Sequence, residues 1–374
     1  MAGIYIHIPF CKQKCTYCDF HFSTTFEVYR SAMIDSIVRE IESRKGYLEN
    51  QKVRTIYFGG GTPSILKEDE IQAILSKVYK VFDVVQVAEI TLEANPDDIN
   101  SENLKVWKKA GVNRLSIGLQ SFKKSDLEWM NRAHTVQDSF QCVKLAKQHG
   151  FEDITVDLMY GLPDLTMKEW ENHIQEVLDL NVPHVSAYCL TVEKKTVLSN
   201  LVGKGKIVPA SEDQQSDQFL KLLKKLEAKG FEQYEISNFS KPGHESKHNS
   251  NYWKGEWYLG VGPSAHSFNG TSRSWNIRNN ARYILEVKEN GDYNESETLS
   301  KVNQFNERIL IGLRTKYGVN MKELARLSPI SVRFLEVMND FMEKGWAFQE
   351  NESLVLTKEG KLRADYIASE LFYD

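Results

Sequence analysis

The sequence predicts an α/β protein with a parallel sheet, followed by a small α+β module that resembles a winged helix. Strand-like and helix-like patterns alternate over the first 230 residues, and the pattern changes to three helices and a hairpin after residue 301. Strands that alternate with helical crossovers are typical of a parallel sheet with right-handed connections. Such a sheet is an open layer or a barrel, and both forms bind ligands at the carboxyl ends of their strands.

Six short apolar segments are the predicted strands: 3–8, 53–58, 88–94, 114–120, 153–159 and 184–190. Between them, apolar residues recur at i, i+3, i+4 and i+7, as Met33, Ile37 and Ile41 show, which is the period of an amphipathic helix. The predicted helices are 29–45, 68–82, 125–150, 167–180 and 217–230. Together these elements form a predicted first domain, residues 1–230.

Two further segments follow this domain. Residues 231–300 are predicted to be a loop-rich connection, since 236–280 is rich in Gly, Asn, Ser and aromatic residues and has weak periodicity. Residues 301–374 form the predicted winged-helix-like domain, with its hairpin around Asn351. This last domain holds 11 Lys+Arg and 11 Asp+Glu, and a DNA-binding module should show a basic surface. We therefore expect it to act as a lid or to dock a partner.

Composition narrows the class of protein. The 374 residues are 41% hydrophobic and 26% charged, with a net charge of −4, so no basic field indicates nucleic acid. No apolar run reaches the roughly 18 residues of a membrane-spanning helix, and the first apolar run lacks the pattern of a signal peptide. We expect a cytoplasmic protein that is not integral to a membrane. Cys142 and Cys189 lie in apolar contexts and are predicted to be buried small hydrophobic residues.

Three cysteines lie within eight positions of one another: Cys11, Cys15 and Cys18. In a reducing cytosol such a cluster favours a metal site over disulfides, and thiolates suit iron–sulfur clusters or zinc. Structural zinc normally takes four protein ligands, for which His21 is a weak fourth candidate. A [4Fe–4S] cube usually takes four cysteines, so three would leave one iron open for chemistry. Lys12 and Lys14 would offset the negative charge of such a cluster.

A glycine-rich turn, "GGGTPS" at 59–64, follows the second predicted strand. Consecutive glycines permit positive φ and a close approach of the backbone to a ligand. The cysteine loop after strand one and this turn after strand two resemble the radical S-adenosylmethionine (SAM) superfamily. In that family three cysteines hold a [4Fe–4S] cluster, and the amino and carboxylate groups of SAM chelate the fourth iron. The resemblance implies a partial (β/α)6 barrel.

The resemblance extends along the chain. "YIHIPFC", "LEANPDD", "LSIGLQSF", "NRAHT", "VDLMYGLPDLT" and "HNSNYW" are similar to the oxygen-independent coproporphyrinogen-III oxidase group, and within it to a heme chaperone branch. The decarboxylating members carry a further cysteine where this chain has Phe20, and a long N-terminal extension, whereas ten residues precede Cys11. These departures favour a protein that binds heme and transfers it to an acceptor protein, including acceptors at the membrane. The alternative is a radical SAM enzyme that decarboxylates coproporphyrinogen III.

The resemblance implies a set of SAM-binding residues: Tyr5, Gly60, Gly61, Thr62, Glu93, Gln120, Arg132 and Asp157. Tyr5 would pack on SAM near the cluster, and the glycine turn would hold the methionyl end. The strand pattern supports three of them independently. Glu93, Gln120 and Asp157 stand at the carboxyl ends of predicted strands, where side chains converge on a pocket. Arg132 has the weaker case, since an arginine is common at a protein surface. No catalytic residue is predicted.

The "HNSNYW" segment resembles a heme-binding motif, which implies His248, Tyr252 and Trp253 as heme contacts. Imidazole suits heme iron as an axial ligand, and aromatic faces suit a planar macrocycle. By physical reasoning alone, a histidine among aromatic residues is more often a hydrogen-bonded structural residue. His244 and His266 are competing ligands. A third hypothesis for the whole chain is a barrel that carries zinc and has no redox role.

Overall fold

Six parallel strands form the centre of the computed structural model, which describes residues 1–373. They are β1 (Ala2–Ile8), β2 (Val53–Gly60), β3 (Val84–Ala94), β4 (Arg114–Gln120), β5 (Asp153–Tyr160) and β6 (His184–Cys189). The strands lie side by side in chain order, and each pairs in parallel with the next. All six predicted strands and their parallel pairing are thus confirmed, and helical crossovers connect them as the alternating pattern indicated.

Eight helices belong to this part of the chain: α1 (Arg30–Ser43), α2 (Glu68–Val81), α3 (Ser101–Ala110), α4 (Lys124–Trp129), α5 (Val136–Gln148), α6 (Met167–Asp179), α7 (Val197–Gly203) and α8 (Glu212–Glu227). The prediction of one helical stretch over 125–150 is wrong, because a loop separates α4 from α5, whose first turn is capped by Thr135. The sequence analysis missed α3 and α7. A signal for α3 was present, since Asn100 caps its start and Gly111 follows its end with φ of 99°.

The segment after α8 is an extension of the sheet, so the prediction of a loop-dominated region is wrong. Its elements are β7 (Glu232–Glu235), β8 (Asn238–Ser240), α9 (Lys247–Lys254), β9 (Trp257–Val261), β10 (His266–Phe268), β11 (Ser272–Asn276), α10 (Asn280–Glu289) and β12 (Asn294–Thr298). The twelve strands have the order β12-β11-β10-β9-β1-β2-β3-β4-β5-β6-β8-β7. Most of the added strands have only three to five residues, too few to show a clear period of two.

The C-terminal part has the predicted helices and hairpin. It consists of α11 (Lys301–Leu313), β13 (Val319–Asn320), α12 (Met321–Leu327), α13 (Val332–Glu343), β14 (Ala347–Glu350), β15 (Ser353–Leu356), α14 (Lys358–Lys361) and α15 (Ala364–Glu370). Asn351 turns the hairpin with a φ of 53°. This part has a hydrophobic cluster of its own, around Phe305, Phe341 and Ile367. The domain limits at 230 and 300 stay a prediction.

The strand pleat sorts side chains into two environments. Along β1, Ile4, Ile6 and Ile8 are fully buried in the main hydrophobic core. The residues between them lie on the opposite face, where Tyr5 stacks on Tyr57 of β2 with ring centroids 6.0 Å apart. The face of the central strands opposite the main core thus carries aromatic side chains. Within residues 1–373, helices are all too short or too polar to cross a membrane.

Candidate functional site

A cavity of about 460 Å³ opens at the carboxyl ends of the central strands. All three clustered cysteines line it, and so do seven of the eight predicted SAM residues: Gly60, Gly61, Thr62, Glu93, Gln120, Arg132 and Asp157. Tyr5 is not among the lining residues. It lies deeper between the strands, with its hydroxyl 3.3 Å from Nδ1 of His7. The structure therefore brings together side chains from the cysteine loop and five strand ends.

Backbone hydrogen bonds hold the cysteine loop near its start and in its middle. Near β1, the Cys11 amide donates a hydrogen bond to the Ser23 carbonyl at 3.1 Å. In the middle, the Thr16 amide donates to the Met130 carbonyl at 3.1 Å, and the Leu198 amide donates to the Thr16 carbonyl at 2.8 Å. These backbone contacts come from segments far apart in the sequence. They fix where the three sulfur atoms are presented to the cavity.

The cysteine thiols are free, and two protein groups contact their sulfur atoms. The Thr62 hydroxyl donates to Cys11 Sγ at 3.4 Å, and Arg132 Nη1 donates to Cys15 Sγ at 3.4 Å. Burial raises the pKa of Cys11 to about 12 and that of Cys18 to about 11. Both thiols are therefore protonated near neutral pH, and binding of a metal to them would release protons. Two polar donors already in place suit thiolate ligands, whose charge they would stabilise.

Arg132, which looked weakest in the sequence, lies deep in the site. Its Nη2 donates to Asn95 Oδ1 at 2.8 Å and to the Gly118 carbonyl at 2.9 Å. Two buried atoms of residues that line the cavity, Arg132 Nε and Asp97 Oδ1, have no hydrogen-bond partner within residues 1–373. A polar ligand in the cavity would supply partners for both atoms. The residues present thus fit a negatively charged cluster with a polar ligand beside it.

The cation that contacts a cysteine sulfur is Arg132, whereas the sequence predicted the adjacent lysines. The Lys12 ammonium is paired with the carboxylates of Asp97 and Asp98, so its charge is largely balanced by protein groups. Arg132, by contrast, touches a cysteine sulfur directly. The charge next to the cysteine loop is therefore supplied by a residue from the segment between α4 and α5. Sequence proximity to the cysteines was a poor guide to this contact.

The glycine turn packs directly on the start of the cysteine loop. Gly60 has a φ of 108°, and a Cβ there would lie 2.6 Å from the His7 ring. A Cβ on Gly61 would lie 2.5 Å from the Phe10 carbonyl oxygen, and the Gly61 amide donates to the Ile8 carbonyl at 2.8 Å. Only glycine fits such a left-handed and crowded path. The turn thus sets the distance between the glycine-rich backbone and the cysteine loop.

Two carboxyl groups line the cavity, Glu93 from β3 and Asp157 from β5, and β4 lies between these two strands. Burial, together with nearby Asp157, raises the pKa of Glu93 to about 7, and the Tyr57 hydroxyl donates to Glu93 at 2.8 Å. Burial likewise raises the pKa of Asp157 to about 6, while the Ser116 hydroxyl lies 3.4 Å from one of its oxygens. A cationic ligand near these two carboxyl groups would lower their pKa values and so favour their charged forms. SAM is a cation of this kind.

His248 lies near the opposite ends of the strands. Its Nδ1 is 2.8 Å from Thr55 Oγ1, its Nε2 is 2.9 Å from the Tyr252 hydroxyl, and its ring stacks on Tyr57 at 5.0 Å. The residue is 1% exposed, and burial lowers its pKa to about 3. Its amide also donates to Glu89 at 3.0 Å. Both ring nitrogens are occupied, so this is the arrangement of a structural histidine, and the heme-ligand role stays a prediction.

The other residues considered for heme lie in different places. His244 Nδ1 lies 2.5 Å from Asp153 Oδ1, while His266 is exposed on β10 with its ring 6.4 Å from that of Trp275. Trp253 is turned away from the central cavity, and the Arg314 guanidinium lies 5.6 Å from its ring. The motif is therefore not assembled around one point in space.

Several residues of the central cavity escaped the sequence analysis. Asn95 connects Arg132 to the glycine turn, since its Nδ2 donates to Thr62 Oγ1 at 3.4 Å. Tyr188 and Cys189 line the cavity from β6. The prediction that Cys189 is buried in the core is wrong, whereas Cys142 is 2% exposed as expected. The available signal was position, because both β6 residues stand at the carboxyl end of a predicted strand.

Comparisons with known proteins agree with this geometry. The sequence model of the Radical SAM superfamily matches residues 5–177. The chain is 38% identical over 370 residues to "Heme chaperone HemW" of Bacillus subtilis, which covers 97% of each chain. It is 35% identical over 358 residues to the protein of the same name from Lactococcus lactis, which covers 95% of this chain and 93% of that one.

A solved structure shows the same fold. Coproporphyrinogen III oxidase (HemN) from Escherichia coli, described as a radical SAM enzyme, matches with a TM-score of 0.85 over 99% of this chain and 90% of that chain, at 21% identity. The chain belongs to the radical SAM superfamily and, within it, to the family of its HemW relatives. Membership implies a [4Fe–4S] cluster and SAM.

Proposed function

We propose that this protein is a cytoplasmic heme chaperone, which carries a [4Fe–4S] cluster and SAM, binds heme and passes it to an acceptor protein, including acceptors at the membrane. The observation that carries the proposal is the 38% identity with the Bacillus subtilis heme chaperone over 97% of both chains. Phe20 supports it, because an exposed phenylalanine stands where the decarboxylating members that this chain resembles carry a cysteine.

In this proposal Cys11, Cys15 and Cys18 hold the cluster. Arg132 offsets part of its negative charge, since its guanidinium already contacts Cys15 Sγ at 3.4 Å. The Thr62 hydroxyl, 3.4 Å from Cys11 Sγ, adds a second donor. Hydrogen bonds to ligand sulfurs and nearby charge are the means by which a protein sets the reduction potential of such a cluster. Cys11, Cys15 and Cys18 would thus present a group that, when reduced, can donate an electron to a ligand in the cavity.

The cavity beside the cysteine loop would hold SAM. Glu93 and Asp157 would pair with its cationic groups, which would favour the ionised forms of both carboxyls over the protonated forms that burial produces. The backbone of Gly60 and Gly61 lies close enough to the cysteine loop to contact the methionyl end next to the open iron. Gln120 ends β4 in the left-handed region with a φ of 67° and lines the cavity, where it would contact SAM. Tyr5 lies deeper between the strands, beneath the residues that line the cavity.

The three motif residues have separate roles in heme binding. Trp253 is a macrocycle contact, and Tyr252 holds His248 through its hydroxyl at 2.9 Å. His248 ligates iron only if it gives up its hydrogen bonds to Tyr252 and Thr55. Breaking two buried hydrogen bonds costs about 1–3 kcal/mol for each group left unsatisfied. Heme binding through His248 therefore requires a local opening of α9.

One experiment separates chaperone from enzyme. The anaerobically reconstituted protein is titrated with hemin and then mixed with an apo-globin, while a parallel sample receives coproporphyrinogen III, SAM and a reductant. The chaperone gives a saturable Soret change, transfer of heme to the globin and no release of CO2. Sustained CO2 release with turnover would identify the oxidase instead. Iron and acid-labile sulfide are measured on the same preparation, and zinc without sulfide would overturn the cluster assignment.

A further inference from the structure

A second cavity, of about 380 Å³, lies between α9 and the C-terminal helices and hairpin. It shares no lining residue with the central cavity. We call it the α9–α11 cavity, after the two helices that contribute Trp253, Lys254, Arg308 and Ile311 to its walls. Its volume falls within the range of about 300–1,000 Å³ that small-molecule sites in proteins occupy. The predicted heme motif thus reaches this cavity through Trp253, its last residue.

Two cations at this cavity lack a carboxylate partner within residues 1–373. Arg308 Nη1 donates to the Lys254 carbonyl at 2.9 Å, and neither side chain forms an ion pair. Neighbouring cations at the end of α11 are different, since Arg314 pairs with Asp365 and Lys316 with Glu232. One carboxylate, Glu323, also lines the α9–α11 cavity, so the two cations leave an excess of positive charge there. Such charge is suited to the carboxylates of a ligand.

The walls between these cations are aromatic and apolar. Trp253 and Tyr317 line the cavity together with Ile311, Val319 and Leu324. Tyr317 is 54% exposed, and its hydroxyl has no hydrogen-bond partner among the described residues. The lining thus combines flat aromatic faces with a basic rim, which suits a planar apolar ligand with charged carboxylates at one edge.

We propose that the α9–α11 cavity is the heme seat, with the macrocycle against Trp253 and Tyr317 and the propionates on Arg308 and Lys254. This inference rests on the proposed heme chaperone function and gives that function a location. It also divides the predicted motif into two roles. His248 and Tyr252 pack against the central strands, and Trp253 contacts the ligand. The acceptor would then meet heme at the C-terminal part, away from the cysteine loop.

The test uses the full chain and hemin. Arg308→Gln and Lys254→Gln each remove one cation, and Arg326→Gln is the matched control, an exposed arginine on α12 outside the cavity. Charged hydrogen bonds contribute about 1.5–3 kcal/mol, so each cavity variant should raise the Kd for hemin about tenfold or more. Arg308→Lys should restore most of the affinity. The control variant should bind as the parent does.

Hemin dimethyl ester, which has no propionate charge, distinguishes ligand contact from a structural effect. Parent and Arg308→Gln should bind the ester with equal affinity, because the guanidinium then has no carboxylate to pair with. If the doubly substituted protein, Arg308→Gln with Lys254→Gln, binds hemin as the parent does, the seat is elsewhere. Failure of the parent itself to bind hemin saturably overturns the proposed function, which is a different outcome from failure of the site.

Discussion

The two motifs that stood out in the sequence lie at opposite ends of the central strands, and their side chains are in opposite states. At the carboxyl ends, the cysteine thiols are free, and two buried polar atoms of the cavity lining have no partner among the described residues. At the other end, His248 has both ring nitrogens occupied and is almost completely buried. In barrels built from parallel strands, ligands bind at the carboxyl ends, and the amino ends serve stability.

The difference shows that donor atoms alone do not define a site. A cysteine loop and a histidine motif both offer metal ligands, yet availability depends on residues distant in sequence. Thr55 and Tyr57, which precede His248 by almost two hundred positions, occupy one ring nitrogen and one ring face. Around the cysteines, the distant residue Arg132 instead contacts Cys15 Sγ, while all three cysteines still line the cavity. Five predictions examine this contrast, from the largest expected effect to the smallest.

The largest effect is expected at the cysteine end. Cys15→Ser removes one of three cluster ligands, so iron after anaerobic reconstitution should fall from about four per chain to well below one. Cys142→Ser is the matched control, because Cys142 is a buried core thiol on α5. Iron, acid-labile sulfide and low-temperature EPR of the reduced protein are the measurements. Equal iron in both variants would show that the loop does not hold the cluster.

At the opposite end, substitution should affect stability more than cofactor content. His248→Ala removes the hydrogen-bond partner of the Tyr252 hydroxyl and one of the two partners of Thr55 Oγ1, which keeps its bond from Asn251. It also opens a void beside Tyr57, so the free energy of unfolding should fall by about 3 kcal/mol. His266→Ala, at an exposed position, should change it by less than about 0.5 kcal/mol. Denaturant unfolding measures both. A His248→Ala protein that is fully stable but no longer binds hemin would contradict the structural role.

The same histidine gives a pH test. Its pKa is lowered to about 3 in the folded protein, against about 6.5 when unfolded. Between these values the unfolded chain binds a proton that the folded chain does not, so the free energy of unfolding falls as pH decreases from 6.5 toward 3. This one residue contributes a slope of up to about 1.4 kcal/mol per pH unit. The slope should be smaller in His248→Ala by that contribution, while His266→Ala should keep most of it.

The sequence predicted the parts of the fold that depend on local periodicity. The six central strands and the helices of the C-terminal part are long enough to show their period. The edge extension β9–β12 could not be found in this way, because its short strands are specified by pairing with β1 and with one another. In the site, strand-end positions predicted Glu93, Gln120 and Asp157. Contacts such as Arg132 with Cys15 depend on where loops meet, which no local pattern contains.

A smaller effect is expected for the carboxyl groups of the central cavity. Glu93→Gln removes a charge partner of a cationic ligand and should raise the Kd for SAM about tenfold at pH 8. In the parent, affinity should weaken as pH falls from 8 to 6, because the pKa of Glu93 is about 7 and its protonated form is neutral. Calorimetry on cluster-loaded protein measures both. Glu295→Gln, exposed on β12, is the control, and an unchanged pH profile in Glu93→Gln would exclude this role.

The smallest effect is expected for Lys12, although it is adjacent to Cys11. Its ammonium is half exposed and already balanced by Asp97 and Asp98, so Lys12→Gln should change stability by less than about 1 kcal/mol and leave iron content unchanged. Arg132→Gln should lower cluster retention, because it removes the contact with Cys15 Sγ. If both variants shift the reduction potential of the cluster equally, the potential depends on charge at long range. If only Arg132→Gln shifts it, the potential depends on the direct contact between the guanidinium and the sulfur.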